Sequence, residues 1–460
     1  MKSASLFLCL VAILPAKGAM FNVNSTADLL DAAPGDGACL AANNKCTLRA
    51  AIQEANSSAA IDTILVPAGM YNLTRGDLKI TSNMHIQGAG RAETIIDARG
   101  ESRVFVVSEG KVAVIDRLKV RNGFIQNQYG GCIRNSGQLT LNLVIVTGCT
   151  GNGTDADGGG IANFSQLTVQ DSYISNNHTE RYGGGLYNHW SAQVKMSRTI
   201  VSGNRTTFSG GGVANFGSLH VSDSTFTNNW SVSYGGGGIH NGGTAKLVKS
   251  TFSANSGGEG GAIFTETPSD MTITNCTISG NMGIFSGGVA NWGLLVIQNS
   301  TIYGNRGLST VAGGGVYNSS GTVAIKNSII AGNTAASSGR PDCYIYEWFG
   351  SNSVNYSLVG NATGCNIPGG GVGNLVNLNP MLGPLANNGG KTKTHALHTG
   401  SVAIDSASPA PPGRTNACEK SDQRGVARPQ NGRCDMGAYE WRPGILHSPE
   451  TADEEAEFIP

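Results

Sequence analysis

The chain has 460 residues, with 31 basic and 31 acidic side chains, a formal net charge of zero and only 13% charged residues. That balance removes the electrostatic footprint of a nucleic-acid binder, so no nucleic-acid partner is expected, and it gives no attraction to an anionic membrane. Apolar residues at 39% are too many for a disordered chain, and 66 glycines without a three-residue period exclude collagen and point to a fold full of turns.

Residues 1–18 carry Lys2, an apolar run from Leu6 to Ala16 and a small-x-small site at Ala16-Lys17-Gly18. They read as a secretory signal peptide, too short to span a bilayer, and no later stretch suits a transmembrane segment. An exported chain admits disulfides. Close spacing pairs Cys39 with Cys46, Cys343 with Cys365 and Cys418 with Cys434; Cys132 and Cys149 are a further close pair, which leaves Cys276 over. No Cys/His spacing suits zinc, so no metal site is expected on that account.

Residues 19–60 read as an N-terminal cap, in which the run 46–56 sets Leu48, Ile52 and Ala55 on one helical face. From 61 to 333 the chain repeats. The block Gly-Gly-small-aliphatic-x-Asn ends at residues 135, 163, 188, 215, 241, 265, 291 and 318, counting degenerate copies, with spacings of 28, 25, 27, 26, 24, 26 and 27. A second marker keeps the same beat: an apolar residue stands three before Asn at Cys149/Asn152, Ile174/Asn177, Val201/Asn204, Phe226/Asn229, Phe252/Asn255, Ile278/Asn281, Ile302/Asn305 and Ile330/Asn333. Between the markers, Val169, Met196, Val221, Leu247, Ile273, Ile297 and Ile325 align in one column, and a second apolar column stands two residues earlier. Alternation of period two means strands with these columns facing inward, and no repeat has room for a crossover helix.

One such repeat cannot bury its apolar face alone, so the repeats must stack in parallel, about 4.8 Å apart. The predicted fold is all-β: a right-handed parallel β-helix, or solenoid, of about three short strands per turn, with a short N-terminal helical cap and a loop-rich C-terminal cap. Parallel connections set its hand. The repeated asparagines carry a donor and an acceptor for the turns above and below. Cys276 falls in a column with Ser172, Thr199, Ser224, Ser250, Ser300 and Ser328, as a buried serine substitute. After 333 the period is lost, and 334–440 reads as the end of the β-helix and a cap in which Asp422, Arg424, Arg428, Asp435 and Glu440 form a charge network. Residues 441–460 read as an acidic disordered tail.

These segments resemble known families. Cys46-Thr-Leu-Arg-Ala-Ala-Ile-Gln-Glu-Ala-Asn56 is similar to the CSLREA-type motif that opens many exported bacterial right-handed β-helix proteins. Asp422-Gln-Arg-Gly425, Arg428-Pro429 and Cys434-Asp-Met-Gly-Ala-Tyr-Glu440 resemble the choice-of-anchor Q domain that closes them. Gly260-Gly-Ala-Ile263, Phe226-Thr-Asn-Asn229 and Phe252-Ser-Ala-Asn255 resemble the repeats of chlamydial polymorphic membrane proteins, which are surface adhesins. The resemblance implies export to the extracellular space or the bacterial outer surface. Glu440 is not followed by a sorting segment, so surface retention by that route is not expected.

Two function classes remain. Aromatic residues gather where the turns join: Tyr182, Trp190, Phe208, Phe216, Trp230, Tyr234, Phe285 and Trp292. They suit stacking on sugar rings or bracing one another, and of these Tyr182, Trp190, Phe216, Trp230, Tyr234 and Trp292 are the carbohydrate-binding candidates. The favoured reading is therefore an adhesin-like binder of polysaccharide or a cell surface. The alternative is a polysaccharide lyase or glycoside hydrolase, since such enzymes also use β-helices and need clustered carboxylates, for acid–base work or for calcium, the one ion such a site would take. Asp155, Asp157, Asp171 and Glu180, with His178 and His189 near the last, are the acidic-site candidates. Asp171, Arg198, Asp223 and Lys249 share one outward column, where alternating charge predicts ion pairs between turns.

Overall fold

The computed structural model describes residues 18–336, 340–346, 351–367, 370–414 and 417–443. Apart from Gly18, the segment read as a signal peptide lies outside the described residues, as do residues 444–460 of the segment read as an acidic tail. Over the rest the chain winds into a parallel β-solenoid of about eleven turns with one helix. Each full turn contributes to four sheets. In one such turn the strands are Ile161–Asn163 in sheet I, Gln166–Gln170 in sheet II, Tyr173–Ser175 in sheet III and His178–Thr179 in sheet IV. Sheets II and III each hold 13 strands, sheet I holds 11 and sheet IV nine. Sequence alternation predicts about three strands per turn; the fourth is missed because two residues are too few to alternate. Thirteen rungs at the usual spacing make a rod about 58 Å long.

The apolar columns face inward as predicted, with Val169, Met196, Val221, Leu247, Ile273, Ile297 and Ile325 all at 1% exposure or less. Two asparagine columns share that interior. In the longer one the side-chain amide of Asn177 donates to Asn204, and the chain continues through Asn229, Asn255, Asn281 and Asn305 to Asn333 at 2.9–3.0 Å per link. Each amide also donates to a main-chain carbonyl of the preceding turn, and each Oδ1 also accepts a backbone N–H from it, as when Asn229 Nδ2 donates to Val201 O and Asn204 N donates to Asn229 Oδ1. A buried amide thus has its donors and acceptor satisfied at every rung. The upper end closes on the Asp342 carboxylate. At the lower end Cys149, not Asn152, stands in the asparagine position: its N–H donates to Asn177 Oδ1, and Val146 pairs with Ile174 in the apolar column. The Cys132–Cys149 disulfide pins that end. Cys39–Cys46, Cys343–Cys365 and Cys418–Cys434 are also bonded, while Cys276 is free and buried in the serine column, its thiol pushed up to about 12 by burial.

The second asparagine column runs Asn135, Asn163, Asn188, Asn215 and Asn241 at 2.7–2.9 Å per link, breaks at Thr265, and resumes with Asn291 and Asn318. The corner between sheets II and III is left-handed at every turn, from Arg117 through Asp171, Arg198, Asp223 and Lys249 to Asn327, with φ of 46–54°. Asp171 and Arg198 form a two-pronged ion pair there at 2.7 Å, but Asp223 and Lys249 form none among the described residues, so the predicted column of pairs reduces to one.

At the N-terminus Met20–Asn22 pairs with Asp62–Val66 as the first strand of sheet II. Helix α1, Leu48–Asn56, buries Leu48, Ile52 and Ala55 against the first turns, and its N-cap Thr47 accepts from Ala50 N. At the other end turns continue to Leu375–Val376. Residues 379–414 and 417–441 then leave the coil. They run back as a strap along the outer face of sheet III, where Thr251, Thr277, Ser279 and Thr301 point outward as donors and acceptors. Gln423 bonds Thr251 and Thr277, His395 bonds Ser279 and Ala438 N donates to Thr301. Asp422, Arg424, Arg428, Asp435 and Glu440 form a buried network inside this strap, with Arg428 on Glu440 at 3.1 Å and Arg424 on Asp422 at 2.8 Å.

Asn229→Ala leaves Asn204 N and Nδ2 without their shared acceptor and takes the side-chain donor from Val201 O and from Asn255 Oδ1, which keeps only the backbone N–H of residue 229. We expect a loss of about 2–4 kcal/mol in chemical denaturation, against less than about 0.5 kcal/mol for Lys246→Ala on the exposed face of sheet II.

Candidate functional site

The outer face of a solenoid sheet ordinarily meets water. On sheet I, from Ala162 to Tyr317, it does not: the central residues Ala162, Tyr187, Ala214, His240, Phe264, Ala290 and Tyr317 are all buried. Side chains from the corner before each strand (Tyr129, Tyr182, Phe208, Tyr234) and from the corner after it (Phe164, His189, Phe216, Trp292) lean over them. Tyr182 meets Phe208 and Phe216 edge-on at 5.1 Å, Phe208 stacks on Tyr234 at 5.6 Å, and Trp292 meets Phe264 edge-on at 4.7 Å. Gly242 makes room for one ring, since a Cβ there would lie 2.8 Å from Phe216. The result is a second apolar layer outside the rod, in which most of the candidate aromatic residues brace one another.

Polar groups are sealed in this layer. Ser209 Oγ lies 2.5 Å from His240 Nδ1, and His240 Nε2 lies 3.1 Å from Glu266 Oε2. A neutral imidazole that donates to Glu266 and accepts from Ser209 satisfies all three groups, and the bond from His240 holds the Glu266 carboxyl below its usual value. The order is that of a hydrolase relay, but Ser209 is 0% exposed, so its hydroxyl is a strut and no substrate reaches it. Beside it Glu259 is buried without a cation. Its carboxylate accepts from Gly235 N, and burial pushes it up to about 7. None of Ser209, His240, Glu259 or Glu266 was singled out from the sequence; the one available signal is the outward position of His240 in the aliphatic-x-Asn block.

The acidic candidates separate. Asp155 and Asp157 both approach Arg181 Nη1, at 3.8 and 3.5 Å. Asp155 is exposed, whereas Asp157 is buried, accepts from Tyr182 N and is pushed up to about 6 by desolvation. Glu180 accepts from Gly153 N at 2.7 Å. Asp171 lies at the corner of sheets II and III, away from the others, paired with Arg198, whose hydrogen bonds hold its carboxyl low. His178 is on sheet IV and His189 follows sheet I, so they do not share a site. Among the described residues no three His, Cys, Asp or Glu side chains converge as metal ligands.

Three rings keep a large exposed area. Trp190 is 71% exposed at the edge of the seam against His189 and Phe216, Phe208 is 39% exposed, and Trp230 on sheet IV is 42% exposed under the Arg205 guanidinium. Phe208 borders a depression of about 370 Å³ with Glu180, Arg181 and Tyr182, so an acid, a base and two rings meet there. Further exposed apolar side chains lie along this side, Val232 beside Trp230 and, beyond the Ser256–Gly257 rung, Met282, Ile284 and Leu308.

No family model matches the chain, and no curated protein matches it. Among solved structures it is similar to the crystal structure of a pectate lyase, Pel9A, at 13% identity and a TM-score of 0.45, over 93% of this chain and 97% of that one. At that identity the likeness carries nothing about chemistry.

Because its folded pKa is raised, Glu259 contributes stability that is complete below its unfolded value near pH 4.5 and lost as pH rises through about 7. Glu259→Gln keeps an acceptor for Gly235 N and removes the charge. Thermal melts should show the variant close to the parent at pH 4.5 and more stable at pH 8, by up to roughly 3 kcal/mol; equal pH profiles would contradict the buried, unpaired carboxylate.

Proposed function

We propose that this is an exported, extracellular β-helix protein that binds polysaccharide on the ridge where sheet I meets sheet IV, in the manner of an adhesin. The observation that carries the reading is the set of exposed rings, Phe208 and Trp230 on that ridge and Trp190 across sheet I at its corner with sheet II, each held against a neighbouring side chain on a rigid rod. Sugar rings offer C–H faces for stacking and hydroxyls for the polar groups around the depression, and a platform already held in place loses little entropy on binding. The four disulfides are compatible with an oxidising compartment, and no described helix is long and apolar enough to cross a membrane.

One observation favours the catalytic alternative. Asp155 and Asp157 share Arg181 while their environments differ, the pattern of a general acid and base. Against it, the Asp157 carboxyl is 3% exposed and held by Tyr182 N, out of reach of a glycosidic oxygen. The binding reading therefore predicts that purified protein releases no unsaturated or reducing ends from pectin, alginate or glycosaminoglycans, while a glycan array gives positive spots. Trp190→Ala and Trp230→Ala should each weaken the best array ligand about tenfold in titration calorimetry, with the melting temperature unchanged. A blank array together with a negative cell-adhesion assay would overturn the proposal.

A further inference from the structure

On the reading that this ridge binds glycan, we infer that its ligand is anionic, and that a subsite on sheet IV built from His178, Arg205 and Trp230 takes a carboxylate or sulfate group of the sugar chain. These three residues stand in register on successive rungs, about 4.8 Å apart, so their side chains form one outward column. His178 and Arg205 line a depression of about 520 Å³ together with Asn176, Asn177, Gly203 and Thr207. Gly203 keeps it open: a Cβ there would come within 2.4 Å of Asn176 Oδ1.

Arg205 is the centre of the argument. Arg181 is engaged with Asp155 and Asp157, and Arg103 with Asp77 and Gln128, while Arg306 stands four rungs away in the same column. Arg205 has no ion pair and no side-chain hydrogen bond to any described residue. Its guanidinium lies 4.2 Å from the centre of the Trp230 ring, which sets its plane and leaves its N–H edge turned to solvent. The outward column of sheet IV, from Phe124 through Thr150, His178, Arg205, Trp230, Ser256 and Met282 to Arg306, holds no acid to neutralise it. Glu180, two residues beyond His178, accepts from Gly153 N. A planar fork of donors with no internal acceptor matches a carboxylate or a sulfate ester, and the exposed part of Trp230 with Val232 offers the adjoining sugar an apolar face. His178 supplies a second polar contact; burial and the charge of Arg205 both hold its imidazole below the ordinary value, so it acts as a neutral partner near pH 7.

The test compares chains that differ only in charge: polygalacturonate against its methyl ester for the carboxylate, and dextran sulfate against dextran for the sulfate, by titration calorimetry at low salt. The parent protein should bind at least one acidic chain ten times more tightly than its neutral counterpart. Arg205→Gln should abolish that preference, so that acidic and neutral chains bind alike, and leave the melting temperature unchanged, with Arg205→Lys intermediate because it keeps the charge without the fork. Whichever acidic chain responds to Arg205→Gln identifies the anion. Equal affinity for acidic and neutral chains, or a preference that survives Arg205→Gln, would overturn the inference while the glycan-binding reading stands. Binding to no glycan at all would remove both.

Discussion

The hydrogen bond from one turn to the next is what the whole molecule depends on. Within the rod each rung packs on its two neighbours, and contacts from distant parts of the chain come chiefly from the strap on sheet III. Backbone pairing along four sheets supplies most of that contact, but parallel ladders slide easily unless register is fixed. The asparagine columns fix it. An amide in the apolar interior is tolerable only when both its donors and its acceptor are met, and here they are met only if the next rung sits with its asparagine directly above. A slip of one residue would leave unpaired amides from Asn177 to Asn333 at once.

Once register is fixed, the outside of the rod follows. Residues at equivalent positions are stacked about 4.8 Å apart, so any side-chain type repeated in the sequence becomes a line on the surface. Thr251, Thr277 and Thr301 become a row of hydroxyls that the C-terminal strap binds, and Tyr187, His240, Phe264 and Tyr317 become the floor of the aromatic seam. These two rows lie on different sheets, sheet III and sheet I. The strap therefore covers one side of the rod and leaves the ridge between sheets I and IV open.

Much of this was legible in the sequence, because the 26-residue beat constrains every position that repeats. The inward columns, the pairing of asparagines and the place of Cys276 among serines all follow from period alone. The features that escaped are those without a period. Cys149 stands for asparagine in the first rung of its column, and an alignment by nearest Asn put Asn152 there instead. Ser209, His240 and Glu266 are 31 and 26 residues apart and come together only because adjacent rungs superpose a corner, a strand centre and the following corner. The strap was read as an end cap because an open end needs covering; that the outward hydroxyls of sheet III also need partners cannot be seen until the sheet's outer face is known.

Bracing and binding then cease to be rival accounts of the aromatic residues, since geometry assigns each ring to one task. Tyr187, Phe216, Phe264 and Trp292 are spent on one another: their faces and edges already meet other rings at 4.7–5.8 Å, and little of their surface is left for a ligand. Trp190, Phe208 and Trp230 lie at the margin, each touching at least one fixed neighbour and each keeping a large exposed area. A side chain in that position has already lost its rotamer freedom through contacts made in folding, so a sugar that stacks on it does not have to order it. The seam is thus what holds Trp190 and Phe208, and removing a seam residue should loosen these two without touching any atom a ligand would meet.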